Sequence, residues 1–345
     1  MNARDHNSSG IQAQAEMHHA FLLGLQLMIS SNRERSDVYD WMFRLFRRQH
    51  KDKFLSSFGK LGLDGLPDAV ACAQYHVMSN SVGGVPVEYI AENDHKAWVR
   101  FRYPRWMYDG PTICGIPVEV SRGFLNGWYA ENGVSLNNPR LGFVCVSEDM
   151  TGEFGLCGYF KEFDRDLLES ERLQFSDELP PAFSQEDQPH LPSDIWSEER
   201  LLKANRNYAM EYIRNGLIEL HGVIGEGPTK ELGGRAARLI GLQYFARTRE
   251  LLGTEDGDLA SAGEYLRRMF AGLGDESIVE HSGTSVRIIQ SGLRITRDLE
   301  PEDRSIVLTI WKELWLGALA SFQQMKRAEV VINEDAIIWT IRDVA

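Results

Sequence analysis

Three cations and a tryptophan follow one another along a predicted strand at residues 95–103. Alternation along a strand puts four side chains on one face: Lys96, Trp98, Arg100 and Arg102. Arg105 and Trp106 come directly after the strand. Guanidinium groups bind carboxylates with paired hydrogen bonds, and indole rings stack on flat molecules. This spacing predicts a binding site for a planar anion, or else an exposed sheet face whose cations pair with acidic side chains.

Side chains with the chemistry of a general acid or base lie close by. Glu92 and His95 flank a predicted two-residue turn and should lie opposite each other, where the carboxylate would orient the imidazole ring. His76 lies four residues after Cys72 on a predicted helix, so the two share one face. These pairs predict a catalytic base, with Cys72 as a nucleophile or metal ligand. The structural alternatives are a turn-flanking ion pair and a buried cysteine near a helix-end histidine.

Amide and aromatic side chains alternate between residues 126 and 139, which is typical of pocket linings and of loops. Trp128 and Asn132 are the predicted substrate contacts in this segment. Cys145 and Cys157 are expected to oppose each other in a hairpin as two small core residues. Because the sequence contains no phosphate-binding glycine pattern and no evident set of metal ligands, we predict that the protein needs no cofactor and no metal.

Composition narrows the class of protein. The 345 residues include 37 Lys and Arg against 50 Asp and Glu, a formal charge of −13. An acidic surface repels nucleic acid and anionic membranes. Four cysteines are too few for a disulfide scaffold, and no apolar run reaches the roughly 18 residues of a membrane span. We therefore expect a cytoplasmic protein that acts on a small molecule, with no nucleic-acid or membrane partner.

Periodicity and turn signals predict the same order of elements twice: two long helices, a short helix, a hairpin, a helix and a second hairpin. The predicted fold class is α+β, with two similar halves that each pack a helical hairpin on a small antiparallel sheet. The expected segments are a mobile tail at 1–10, a first half at 11–163, an acidic proline-rich linker at 164–196 and a second half at 197–345. The order favours an internal duplication, although many α+β proteins can be matched in this way.

The two predicted halves differ in their chemistry. The cationic strand of the first half has a plainer counterpart in the second, with Thr284, Val286 and Ile288 near the matching positions. We therefore place the pocket in the first half, between residues 96–105 and 128–138. The second half is interpreted as structural or dimerising, because its helix at 303–326 is apolar enough to form a homodimer interface or a core between the halves.

Two segments carry a resemblance to a known family. They are Glu-Asn-Asp-His-Lys-Ala-Trp-Val-Arg-Phe at 92–101 and Leu-Cys-Gly-Tyr-Phe at 156–160. With the layout around them, they resemble the L-2-amino-thiazoline-4-carboxylic acid hydrolase-like family, which shares its plan with 4-vinyl reductase-like ligand-binding domains. The resemblance implies a hydrolase of small heterocycles or amides, or a pocket for a small aromatic molecule.

The leading functional expectation is a hydrolase or lyase that acts on a C–N or C–S bond of a small planar, anionic molecule. Its predicted catalytic groups are His95, Glu92 and His76. Its predicted substrate contacts are Lys96, Trp98, Arg100, Arg102, Arg105, Trp106, Trp128 and Asn132. The alternative is a non-catalytic binding protein for a small aromatic or acyl ligand.

Overall fold

The computed structural model describes residues 3–102, 116–149 and 154–344. The chain divides into two compact units. The central unit is Ser30–Leu201, and the terminal unit joins Met1–Ile29 to Leu202–Ala345. Each unit has its own sheet with helices beside it, so the predicted α+β class with two similar halves is confirmed. None of the described helices is both long and apolar enough to cross a membrane.

Helix α1 (Ala3–Asn32) begins in the terminal unit, and the central unit starts at the last turn of this helix. Its helices are α2 (Arg35–Lys53), α3 (Phe58–Leu61), α4 (Asp68–Val82), α5 (Val118–Gly127) and α6 (Asn132–Ser135). Its strands are β1 (Val87–Asn93), β2 (Lys96–Phe101), β3 (Leu141–Ser147), β4 (Cys157–Glu162) and β5 (Leu173–Phe175). They form one sheet in the order β1-β2-β4-β3-β5, in which only β5 pairs in parallel. Helix α4 packs on this sheet, and α5 packs on α2.

The terminal unit has the same plan. Its helices besides α1 are α7 (Glu198–Ile224), α8 (Glu226–Leu252), α9 (Leu259–Leu273) and α10 (Pro301–Ala320). Its strands are β6 (Glu276–Ser282), β7 (Ser285–Ser291), β8 (Lys326–Ile332) and β9 (Ala336–Asp343). The antiparallel order β6-β7-β9-β8 repeats the order of the first four strands of the central sheet. Helix α9 packs on this sheet as α4 does on the other, and α10 packs on α8.

Residues 3–10 differ from the predicted mobile tail at 1–10. Helix α1 begins at Ala3, and Gly10 lies against α9, where a Cβ would be 3.1 Å from the Cα of Gly272. The helix belongs to the terminal unit because its polar groups bond there: Trp311 Nε1 donates to His18 Nε2 at 3.0 Å. The observed units therefore do not coincide with the predicted halves at 11–163 and 197–345.

The segment at 164–196, predicted as a linker, packs on the central unit. It supplies β5 to the sheet. Farther along, the side chain of Gln188 accepts from the backbone N–H of Tyr89 at 3.0 Å and donates to its carbonyl oxygen at 2.7 Å. Tyr89 lies on the edge strand β1, so the amide of Gln188 pairs with backbone groups that an edge leaves free. Proline and acidic composition suggested a linker, but these contacts hold the segment in place.

Helix α10 forms core within the terminal unit. Trp311 and Trp315 are fully buried, and their rings meet edge to face at 5.1 Å. The two roles expected for the helix at 303–326, a homodimer interface and a core between the halves, both stay predictions.

Candidate functional site

The two predicted anion-binding arginines share one carboxylate. Arg100 Nε lies 2.7 Å from one carboxylate oxygen of Glu88, and Arg102 Nη1 lies 2.8 Å from the other. Glu88 is buried, whereas the side chain of Arg102 is about half exposed. Arg100 and Arg102 therefore lie on the same face of the sheet, as strand alternation predicts. Both cations are paired with Glu88, an acidic side chain of the protein itself.

Lys96 is also held by carboxylates. Its ammonium group lies 3.2 Å from Glu92 and makes a closer ion pair with Glu178. The same group lies 4.2 Å from the centre of the Tyr159 ring, and the hydroxyl of Tyr159 donates to Glu178 at 2.9 Å. Burial and the bond to Glu178 raise the pKa of Tyr159 to about 12. Lys96 therefore anchors the segment after β5.

Trp98 is fully buried and offers no open ring face. Its Nε1 donates to Glu92 at 2.6 Å, and its ring packs on Tyr159 at 4.5 Å between centroids. Ile90, Val144 and Cys157 complete this cluster. The cluster lies on the outer face of the central sheet, the face turned away from α4. Trp98 therefore acts as core, and the stacking role predicted for it is absent in this conformation.

Glu92 and His95 do not meet. The pairing of β1 with β2 shifts register between Ala91 and Asn93, so Glu92 has no residue directly opposite. The exposed ring of His95 contacts Glu162 instead, at 3.1 Å, while Glu92 binds Lys96 and Trp98. The expected acid–base pair is replaced by two separate ion pairs because a single bulge offsets the strand.

The cysteines of the second hairpin are offset too. Cys145 pairs with Gly158, and Cys157 pairs with Ser147, so the two thiols are not directly opposed. Both are buried and free. Burial raises the pKa of each thiol to about 12, so both stay protonated as core side chains. Arg105, Trp106 and Cys114 lie outside the described residues.

His76, Trp128 and Asn132, the remaining predicted residues, do come together. We call the group the histidine cluster, and it has five members: His50, Cys72, His76, Trp128 and Asn132. Asn132 Nδ2 lies 2.9 Å from His76 Nε2, and the rings of His50 and Trp128 meet at 6.0 Å in a T shape. Helices α2 and α4, with the turns after α5, bring these side chains to the inner face of the central sheet, where His76 stacks on Phe160.

Aromatic rings surround the histidine cluster. Those in contact with one or more of its members are Phe46, Phe54, Tyr75, Tyr129 and Phe160. The cluster therefore has polar atoms at its centre and flat apolar walls, the composition of a small-molecule site. Sequence reasoning missed His50. The available signal was the position of His50, one helical turn after Leu45 and Phe46 on α2.

His50 is neutral in this environment. Its pKa is lowered to about 3, first by burial and next by the nearby Arg47 cation, while the amide of Asn132 opposes the shift. Arg47 Nη1 approaches His50 Nδ1 at 3.2 Å. Because a guanidinium group can only donate, Nδ1 is the acceptor and we assign the ring proton to Nε2.

Three other members of the cluster are uncharged as well. Burial raises the pKa of the Cys72 thiol well above its usual range, so the sulfur stays protonated and is a weak nucleophile. Asn132 and Trp128 carry no charge. These uncharged members suit a neutral ligand better than the anion that we expected.

Three buried polar atoms of the cluster make no hydrogen bond of good geometry with the described residues: His50 Nε2, Trp128 Nε1 and Asn132 Oδ1. The amide of Asn132 nevertheless lies close enough to the His50 ring to act on its pKa. Leaving a buried donor or acceptor unpaired costs about 1–3 kcal/mol. Three such costs within one cluster make it the candidate site on this unit.

A groove of about 390 Å³ lies elsewhere on the central unit. Val77 and Met78 of α4, Arg102 and Phe183 are among the side chains that line it. It adjoins one side of the predicted pocket, the Arg102 side, but its opposite wall comes from residues 183–191 and not from 128–138. Within the described parts of the chain, no group of three or more His, Cys, Asp and Glu residues has the arrangement of a metal site.

Comparison of the chain with protein-family models, curated proteins and solved structures finds no match. The resemblance noted from residues 92–101 and 156–160 therefore stays a prediction.

The buried His50 should make stability depend on pH. Above pH 6.5 the ring is neutral in the folded and unfolded chains, and its contribution is constant. As pH falls below 6.5 the unfolded chain takes up a proton that the folded chain does not, so stability falls by about 1.4 kcal/mol per pH unit until the pH nears the folded pKa of about 3.

Urea unfolding of the full chain between pH 7.5 and 5 measures this effect, with the His50→Gln variant as reference. We expect the free energy of unfolding to fall more steeply for the unchanged protein than for the variant. Equal slopes would show that His50 titrates normally in the folded protein.

Proposed function

We propose that the central unit is a binding module for a small, uncharged aromatic molecule that carries a hydroxyl group. The observation that carries this proposal is the set of three unpartnered polar atoms, on His50, Trp128 and Asn132, within aromatic walls. The free thiols of Cys72, Cys145 and Cys157 suit a reducing compartment, so we place the activity in the cytoplasm.

The chemistry of the three atoms specifies the group they would bind. Trp128 Nε1 and His50 Nε2 are donors, and Asn132 Oδ1 is an acceptor. A hydroxyl group accepts two hydrogen bonds and donates one, so its bonding capacity matches two donors and one acceptor. A carboxylate offers no proton to Asn132 and would bring a charge into a buried site where the nearby Arg47 is already paired with Glu131. An aromatic ring on the ligand would pack against Phe54 and Tyr75.

Calorimetric titration of the full chain with phenol, toluene and benzoate tests the proposal. We expect phenol to bind more tightly than toluene or benzoate. Trp128→Phe should weaken phenol binding at least tenfold, because the variant keeps an aromatic ring but loses the N–H donor. Trp196→Phe is the matched control, since the indole of Trp196 donates to the Lys60 carbonyl away from the cluster, and it should bind phenol normally.

Equal binding of phenol and toluene, or an unchanged affinity in Trp128→Phe, would contradict the proposal. The first result would show that the polar atoms play no part. The second would place the ligand elsewhere in the protein.

A second candidate is the hydrolase that the resemblance implies. The observation that favours it is the proximity of Cys72, His76 and Asn132, a thiol, an imidazole and an amide in one cluster. Substrate binding would have to lower the pKa of Cys72 before its sulfur could attack. Turnover of 2-amino-thiazoline-4-carboxylate that disappears in Cys72→Ser would support this candidate, and binding of phenol without any turnover would favour the binding module.

A further inference from the structure

The two sheets differ at one edge. In the central sheet, β3 lies between β4 and β5, so five strands are paired. In the terminal sheet, β8 occupies the position of β3, and no described strand lies beyond it. Exposed strand edges bind additional strands readily, because their backbone N–H and C=O groups are unpaired.

A groove runs beside this edge. It has a volume of about 400 Å³ and lies at the start of β8, next to α10. Its apolar lining comes from Leu316, Ala320, Met325 and Ala328. Met325 is 57% exposed, so its side chain is accessible to a ligand.

Cationic residues contribute to the lining of the groove. Arg238, Lys326 and Arg327 all line it. Arg238 binds Glu313, and Lys326 binds Asp343 at 2.5 Å. The exposed Arg327 has no acidic partner within ion-pair distance among the described residues, so its charge is available to a ligand.

The neighbouring sheet face is uncovered. The face turned away from α9 carries one aliphatic side chain from each strand, in register across the sheet: Ile278, Ile289, Ile338 and Val331. Ile278 is 63% exposed and Val331 47%. The row in the central sheet that faces away from α4 is instead buried, and the segment after β5 contributes Glu178 to its cover.

The central unit shows what covers such an edge. Strand β5 lies beside β3, and the guanidinium of Arg122 lies 5.5 Å from the centre of the Phe175 ring. Two acidic residues, Asp177 and Glu178, follow in the sequence, and Glu178 binds Lys96. In the central unit, the fifth strand therefore ends on an aromatic residue, and acidic residues follow it.

We propose that the β8 edge is a docking site for an extended segment of a partner polypeptide, which adds to the terminal sheet as a fifth strand. Its apolar side chain would enter the groove at Leu316 and Met325, and a following carboxylate would pair with Arg327. The aliphatic row from Ile278 to Val331 would be covered by the continuation of the same segment. Two observations support this occupant. The positive charge of Arg327 is complementary to an acidic segment, and β5 occupies the corresponding position in the central sheet.

A synthetic peptide with the sequence of residues 173–179, Leu-Gln-Phe-Ser-Asp-Glu-Leu, is the probe. Its binding to the full chain is followed by fluorescence polarisation and by NMR shifts of backbone amides. We expect shifts in β8 and at least tenfold weaker binding to Arg327→Glu. Arg235→Glu is the matched control, because Arg235 is an exposed arginine on α8 that does not line the groove, and it should bind the peptide normally. A peptide with lysines in place of the two acids should bind at least tenfold more weakly.

Either of two results would overturn the proposal. One is a set of shifts confined to residues 143–145, which would mean that the peptide only exchanges with β5 in the central sheet. The other is equal binding by Arg327→Glu and the unchanged protein. Neither result bears on phenol binding by the histidine cluster, so the two proposals fail independently.

Discussion

Replacing Gly241 by alanine should lower the free energy of unfolding by more than about 3 kcal/mol. Helix α8 approaches α10 so closely at this position that a Cβ would lie 1.9 Å from the carbonyl oxygen of Leu314 and 2.9 Å from the backbone nitrogen of Ala318. Backbone atoms of a packed helix cannot rotate away as a side chain can. The two helices would have to separate and expose the core around Trp311.

Gly227→Ala is the matched control, because Gly227 lies on the same helix and a Cβ there would meet no described atom within 4 Å. Alanine at this position should be neutral or stabilise the helix by up to about 1 kcal/mol. Urea unfolding followed by tryptophan fluorescence measures both variants. A loss below about 1 kcal/mol in Gly241→Ala would mean that the helices are not in close contact.

Glu88→Gln should cost about 2–3 kcal/mol of stability, between the values for surface and buried ion pairs. The carboxylate of Glu88 binds Arg100 and Arg102 together. Glutamine keeps the size of the side chain but removes its charge, so two neighbouring guanidinium groups would repel each other without compensation. The effect is measured by urea unfolding at pH 7.

Glu226→Gln provides the comparison, because its partner Lys230 forms an exposed pair on α8 and the change should cost less than about 1 kcal/mol. If Glu88→Gln is as stable as the unchanged protein and gains affinity for benzoate, the arginines are a binding site that Glu88 occupies. That outcome would favour the planar anion predicted from the sequence.

The order of elements could be predicted from the sequence because each element carries a local signal. Turn residues at Asn93–Asp94 and apolar periodicity in the long helices both depend on neighbours in the chain. The place of α1 could not be predicted in this way. Its contacts with α9 and α10 join residues more than 250 positions apart, and no local pattern records such a distance.

The candidate site was predicted in part. Strand alternation predicted that Lys96, Arg100 and Arg102 share one face of the sheet. It did not predict which carboxylates pair with them. Glu178 reaches Lys96 from 82 positions away, and the bulge after Ala91 moves Glu92 out of register with His95. Sequence spacing predicts which side chains share one face of a strand. The ion-pair partners of those side chains depend on which carboxylates the fold brings near them.

For the histidine cluster, the sequence predicted the chemistry of single residues but not their proximity. His76, Trp128 and Asn132 were each selected for their chemistry, yet nothing in the sequence connected them to one another or to His50. Asn132 meets His76 from 56 positions away. Their common site exists because α2, α4 and the turns after α5 converge on the inner face of the central sheet.

The indole N–H resonance of Trp128 gives the most direct test of the proposed binding site. Trp128→Phe identifies the signal by its disappearance, and phenol is then titrated into the full chain. Because Trp128 Nε1 has no partner among the described residues, the account predicts a downfield shift of this resonance with phenol and little change with toluene at the same concentration. An indole signal that does not respond to saturating phenol would contradict the account.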